Sequence, residues 1–359
     1  MKRRIRMGIL FVALGLFVGY GAAWLASDEV RYLTRAAAEE ARILERRRSL
    51  DEVITDPRTD PATRGLISLV RDVRAYADTL GLEAGDTYTT YTDVGRDTLL
   101  LVLTAAPRDC VCPYTWKYPI VGRVPYKGFF DPGMARKAAG ELEGRGFDIY
   151  LRPSAAFSTL GWFNDPLLST ALSRDSMELA ATVFHELAHN TLWVKGAAAF
   201  NESFAQYVGY RSAEAFFHGR GDTTAARRAA LRWADEQVLG EYYKELMARV
   251  EGFYGTRPDP AALDSGRVEL GRWAAETLSG PVASRLRSVT IGPQPARPIN
   301  NARLVGVLLY RTNLSWFDLW HVRQQSDLRR AVASLRELVQ DGEADSAFAR
   351  LEQAVRPSG

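Results

Sequence analysis

One stretch decides what this chain must build. Met177 to Trp193, MELAATVFHELAHNTLW, is seventeen residues long and contains neither Gly nor Pro. Its apolar residues recur at helical spacing, which reads as a largely buried helix. Inside it stand His185, Glu186 and His189, an H-E-x-x-H pattern. On a helix the two histidines at i and i+4 share one face, about 40° apart. That face can offer both imidazoles to a single tetrahedral Zn²⁺ at about 2.0–2.1 Å each. Glu186, one position on, is not a ligand but is close enough to act as general base on a zinc-bound water. The chain holds only four histidines in 359 residues, so such a pattern would arise by chance in roughly a few sequences per thousand.

An open catalytic zinc site needs a third protein ligand, with the fourth position left for water and substrate. The run AFNESFAQY supplies one in Glu202, thirteen positions after His189. Gly196 marks the turn that lets the chain fold back as a second helix. His218 is the rival, sixteen positions further on and near the end of that helix, whereas His321 beside Trp320 reads as a packed or surface histidine. Cys110 and Cys112, the only cysteines, exclude a Cys₄ site and a disulfide scaffold. They stand too close for an ordinary cross-strand disulfide and read as two unpaired or locally strained thiols in a loop. Lys and Arg number 46 against 43 Asp and Glu, a net charge of +3, which argues against a nucleic-acid partner.

The N-terminus carries Lys2, Arg3, Arg4 and Arg6, then an uncharged apolar run from Met7 to Ala26. Twenty residues would span about 30 Å, the hydrocarbon thickness of a bilayer. Length favours a retained anchor over a cleaved signal peptide. The expected organisation is therefore a cytoplasmic basic flank over 1–6, a transmembrane helix over 7–26 and an extracytoplasmic catalytic domain over 27–359. The compartment that follows is the inner membrane, single pass, with the N-terminus in the cytoplasm.

Beyond the anchor, 29–55 reads as one helix and 62–80 as another. Short β-branched and aromatic runs at 87–91, 98–104, 147–151 and 155–162 read as strands, with a helix over 131–143 between them. From Ser173 nearly everything is helical. The fold class is α+β: a small sheet within 27–172, then a large helical half over 173–359.

HELAH followed by FNESFAQY resembles the gluzincin metallopeptidases, in particular zinc aminopeptidases, with an interval about six residues shorter. The chain is more closely similar to a bacterial family of predicted aminopeptidases. The likeness runs through VPYKGFF (124–130), GFDIYLRPSAAFSTLGWFNDPLLST (146–170), HELAHNTLWVKG and AFNESFAQYV, and more weakly through RRRSLDEVITDP and PINNARL. Members often begin with a lipid-bearing Cys; here an apolar helix stands in its place. The resemblance implies His185, His189 and Glu202 as zinc ligands, Glu186 as the base, and one Zn²⁺ per chain. It also implies a second donor for the oxyanion, for which Tyr207, Tyr210 and Tyr310 are candidates, and a residue such as Asn201 or Gln206 that orients a ligand. An edge strand beside the active-site helix would pair with the peptide, which singles out 155–162 with Gly161, and Asp165 is the acid placed to hold a free ammonium.

The leading expectation is hydrolysis that removes N-terminal residues from a peptide, on the outer side of a membrane. The rivals are an envelope endopeptidase and a non-catalytic membrane-tethered protein with a vestigial zinc fold. An intact set of His185, Glu186, His189 and Glu202 argues against the last. No protein partner can be inferred from the residues.

Overall fold

The computed structural model describes residues 2–118, 122–154, 166–339 and 346–356. Helices α1 (Lys2–Ala26) and α2 (Asp28–Glu45) lead, followed by strand β1 (Arg48–Ser49), then α3 (Leu50–Thr55) and α4 (Pro61–Thr79). Next come β2 (Thr90–Thr92), β3 (Leu100–Pro107), β4 (Trp116–Tyr118), β5 (Gly122–Val124), β6 (Lys127–Phe129), α5 (Pro132–Glu143), β7 (Phe147–Ser154) and β8 (Leu167–Leu168). The remainder is helical: α6 (Ser176–Thr191), α7 (Ala198–Gly219), α8 (Thr223–Gly255), α9 (Pro260–Thr277), α10 (Asn301–Leu308), α11 (Leu314–Arg323), α12 (Leu328–Val339) and α13 (Ser346–Val355).

Local chemistry sets many of these starts. Helices α4, α5 and α9 each open on Asp-Pro: Asp60, Asp131 and Asp259 accept backbone N–H bonds at the N-cap, and Pro follows where no N–H is needed. Asp175 caps α6 in the same manner, accepting from Met177 N and Glu178 N at 3.0 and 3.3 Å.

The strands form two three-stranded sheets, ordered β1-β2-β8 and β6-β3-β7, and a β4-β5 ribbon. β3 and β7 pair antiparallel over eight residues, from Leu100 opposite Ser154 to Pro107 opposite Phe147. Alternation gives this sheet two covered faces. Leu103, Ala105, Ile149 and Leu151 pack on α5, while Ala106 and Tyr150 pack on Ala302 and Val305 of α10.

A polar hub ties that sheet to the helical half. Arg267 of α9, only 3% exposed, grips both Asp148 oxygens at 2.7 Å and also donates to Arg108 O and Ile299 O. Asn301 N reaches Asp148 Oδ2 at 2.7 Å, and its amide donates to Pro107 O and Cys110 O. The main core lies around α6 and α7, where Phe184, Leu187, Phe200, Phe204, Tyr207, Trp233 and Phe317 are almost wholly buried.

Four sequence expectations are corrected. First, among the described residues no helix is long and apolar enough to cross a membrane. The transmembrane anchor over 7–26 and the single-pass inner-membrane placement built on it therefore fall. The last turns of the apolar run are engaged by α2: the Tyr20 hydroxyl meets Thr34 Oγ1 at 2.5 Å, and Arg31 donates to Trp24 O and Leu25 O. Residues 7–19 remain, roughly 20 Å of helix against about 30 Å of hydrocarbon. Second, the α+β class of one small sheet followed by helices becomes a mostly helical fold in which α3 and α4 separate the first strand from the second and the strands fall into two small sheets and a ribbon. Third, 29–55 is not one helix. Ser49 and Glu52 form a reciprocal capping box that starts α3 afresh, because two orphan N–H groups are satisfied there at once. Fourth, Cys110 and Cys112 are joined in a disulfide across one residue, their Cα atoms 5.2 Å apart, a separation that suits such a bond.

Candidate metal centre

The site begins with the way α6 and α7 are pressed together. Gly209 of α7 lies where a Cβ would stand 2.8 Å from Ala181 O and 3.4 Å from the His185 Cβ. Only hydrogen fits, so the two helices touch by backbone beside the first histidine. Between them Gly196 takes φ +83°, the left-handed turn that a side chain would strain. Asn201, fully buried, holds this connection: its Oδ1 accepts from Val194 N at 2.9 Å and its Nδ2 donates to Val194 O at 2.8 Å. Glu202 is therefore fixed one residue beyond a clamp.

The clamp and the glycine contact bring His185, His189 and Glu202 to one point. A ligand atom from each lies within 4.8 Å of the others, and the three could hold a metal ion. His185 Nε2 is 3.3 Å and His189 Nε2 3.7 Å from Glu202 Oε2. Two ligands at 2.0–2.1 Å from one tetrahedral ion stand about 3.4 Å apart. A charge-assisted hydrogen bond would instead draw them to about 2.7–2.9 Å. The donor set and its spacing fit a shared metal ion.

Burial pushes the Glu202 carboxyl upward, but the two imidazoles outweigh it and hold the acid at about 2. Burial lowers His189, and Glu202 outweighs that and raises it. The buried His189 Nδ1 has no hydrogen-bond partner among the described residues. Glu186 is half-buried and makes no hydrogen bond or ion pair there, so its carboxylate is uncommitted.

The three tyrosines separate cleanly. Tyr207 is fully buried, with its hydroxyl 2.7 Å from His321 Nδ1 and its ring stacked on Phe317; it is engaged in the core. Tyr210 donates to Glu178 Oε2 at 3.3 Å. Tyr310 alone stacks on His185, with centroids 6.3 Å apart and planes 29° apart. Its hydroxyl has no partner among the described residues, and burial together with Glu202 pushes its pKa well up. It stays a protonated donor. His218 sits exposed at the end of α7, outside the cluster, and Gln206, midway along α7, is half-buried with no hydrogen bond among the described residues. Gly161, Asp165 and the strand expected over 155–162 lie outside the described residues.

Two neighbours escaped the sequence analysis as individuals. Tyr126, from VPYKGFF, is raised by burial and by Glu202 and lowered by Arg152. Arg152, from the YLRP run of β7, acts on Tyr310 as well. Both lay inside segments that carried the family likeness, which was the available signal. Trp193 edges onto His189 at 5.5 Å and is 55% exposed at the rim.

Two helices that present a His-His-Glu cluster, with a further carboxylate, Glu186, on the same helix as the histidines, define a candidate metal-dependent hydrolytic centre. A model of the family described as "Putative aminopeptidase" matches residues 31–349, and the chain belongs to that family. Membership supports peptide hydrolysis in general. No curated protein and no solved structure matches the chain.

Proposed function

We infer that this chain is a zinc-dependent aminopeptidase of the gluzincin type, with His185, His189 and Glu202 as ligands and Glu186 as base. The observation that carries the reading is the pair of Nε2–Oε2 separations, 3.3 and 3.7 Å, next to the Glu186 carboxylate, which pairs with no side chain among the described residues. When bound, the ion would supply Lewis-acid polarisation of the scissile carbonyl and would acidify a water. Glu186 takes one proton from the attacking water as its oxygen bonds to the carbonyl carbon. It then passes that proton to the departing nitrogen as the C–N bond breaks, leaving a carboxylic acid and an amine. Tyr310, held protonated beside His185, donates to the oxygen on which negative charge develops.

Digestion of a mixed peptide library by the purified chain tests this, with every cut read by mass spectrometry. Loss of N-terminal residues that stops on chelation and returns with added zinc supports the reading. Internal cuts alone would make the chain an endopeptidase, and the absence of any metal-dependent cut would reject a peptidase.

A further inference from the structure

Cations inside this fold are paired. Among the described residues every buried or half-buried Lys and Arg except one donates to a carboxylate or a carbonyl oxygen. Arg96 meets Glu39, Lys127 meets Glu29, Arg232 and Arg311 meet Glu236, and Arg74 and Arg350 bond to carbonyls. The exception is Arg152, half-buried on β7, with no hydrogen bond and no carboxylate within ion-pair distance among the described residues. A partly desolvated guanidinium is costly to keep unless an anion or acceptor meets it.

Its position says what it is kept for. Arg152 pairs across the sheet with Val102. It lies two residues beyond Tyr150 and so on the same face of β7, the face that packs on α10. α10 leads directly to Tyr310, which stacks on His185. The positive charge of Arg152 is felt by both Tyr126 and Tyr310, the same two rings that feel Glu202. Glu202, which acts on the same two rings, is engaged by the imidazoles of His185 and His189. What remains for this guanidinium is an anion that arrives with the substrate.

We propose that Arg152 binds a substrate carboxylate beside the metal centre, so that the preferred substrates are short peptides carrying that group within reach of the scissile bond. This rests on the peptidase reading and narrows it. A guanidinium fork takes a carboxylate by two parallel N–H···O bonds, and the group has two sources in a peptide: the free C-terminus or an acidic side chain.

The test is equilibrium binding to zinc-loaded Glu186→Gln protein, which should hold peptide without cutting it. Trialanine as the free acid, trialanine amide, and an amide with aspartate in the second position are compared by calorimetry. Expected is binding about 10- to 100-fold tighter for whichever peptide carries the carboxylate. Free acid over both amides assigns the C-terminus, and the aspartyl amide over the plain amide assigns a side chain. Adding Arg152→Gln should erase the preference, Arg152→Lys should keep part of it, and zinc content should stay near one per chain in both. Equal binding of all three peptides, or a preference that survives in Arg152→Gln, overturns the proposal. The ratios among the three peptides with Arg152 intact decide even if the Gln variant fails to fold. Hydrolysis by the unmutated chain is scored separately. Cutting all three peptides alike keeps the peptidase and loses the carboxylate site, whereas Arg152-dependent binding without any cutting does the reverse.

Discussion

Replacing Asn201 with Ala tests how the metal centre is held. The side chain makes two bonds to one residue, 2.9 Å from Val194 N and 2.8 Å to Val194 O, at a fully buried position. Truncation leaves Val194 N without that partner, while Val194 O keeps its bond from Ala197 N at 3.1 Å; one buried orphan costs about 1–3 kcal/mol, so the loss should be of that order. The effect should not stop at stability. Val194 lies in the turn that sets α7 against α6, and Glu202 follows Asn201 directly, so zinc affinity should fall about 10- to 100-fold. Guanidinium unfolding of chelated protein, followed by tryptophan fluorescence, reads the first quantity, and competition against a zinc indicator reads the second. Asn201→Asp sharpens the argument. It keeps an acceptor for Val194 N but puts a buried anion against Val194 O. Burial raises such an acid above about 3.9, so its deficit should be smallest at low pH, where a protonated oxygen can donate, and should grow as pH rises through the folded pKa. An Asn201→Ala loss below about 1 kcal/mol with unchanged zinc affinity would refute the clamp.

Glu186→Gln should keep about one zinc per chain by elemental analysis and lose turnover by at least about 100-fold, while Glu202→Ala should lose zinc as well; full activity in the first would remove Glu186 from the mechanism. Tyr310→Phe should lower kcat about 100- to 1,000-fold at unchanged zinc content, and an effect confined to KM would make Tyr310 a binding residue instead. Asp235, 1% exposed, accepts from Arg287 N, Ser288 N, Ser288 Oγ and Val289 N. Burial pushes this acid up, but the Ser288 hydroxyl and the backbone donors outweigh it and hold it below 3.8. Its folded pKa is depressed, so the advantage of the native chain over Asp235→Asn should be full above about pH 4 and shrink as pH falls through the folded value. Denaturant midpoints of metal-free protein across that range check it, and a gap that widens in acid would contradict the assignment.

What the sequence discloses here follows contact distance along the chain. His185, His189 and Glu202 were legible because one helix period and one glycine turn join them. The helix starts at Asp60, Asp131 and Asp259 carry their signal in an adjacent proline. Ser49 was readable too, since S-L-D-E spells a capping box, but the Ala-, Glu- and Arg-rich flanks masked it with helix propensity on either side. That Tyr310, and not Tyr207 or Tyr210, stacks on His185 was out of reach: all three are tyrosines near helices, and only packing reveals that two hydroxyls are already engaged. The N-terminal run misled because hydropathy counts residues, whereas the contacts of α2 with Tyr20, Trp24 and Leu25 depend on how the chain turns back at Ser27.

The hub at Arg267 and Asn301 divides the centre by provenance. The three candidate ligands stand on consecutive helices and need only their own turn to meet. Tyr310 and Arg152 reach the same place through contacts such as Asn301 to Asp148, which join residues 153 apart. Occupancy and competence are thereby separable properties of this molecule. Damage at Arg267 or Asp148, remote from any ligand, should leave a chain that still carries its ion yet no longer knows where to put a substrate, so an assay for metal alone would pass it as sound.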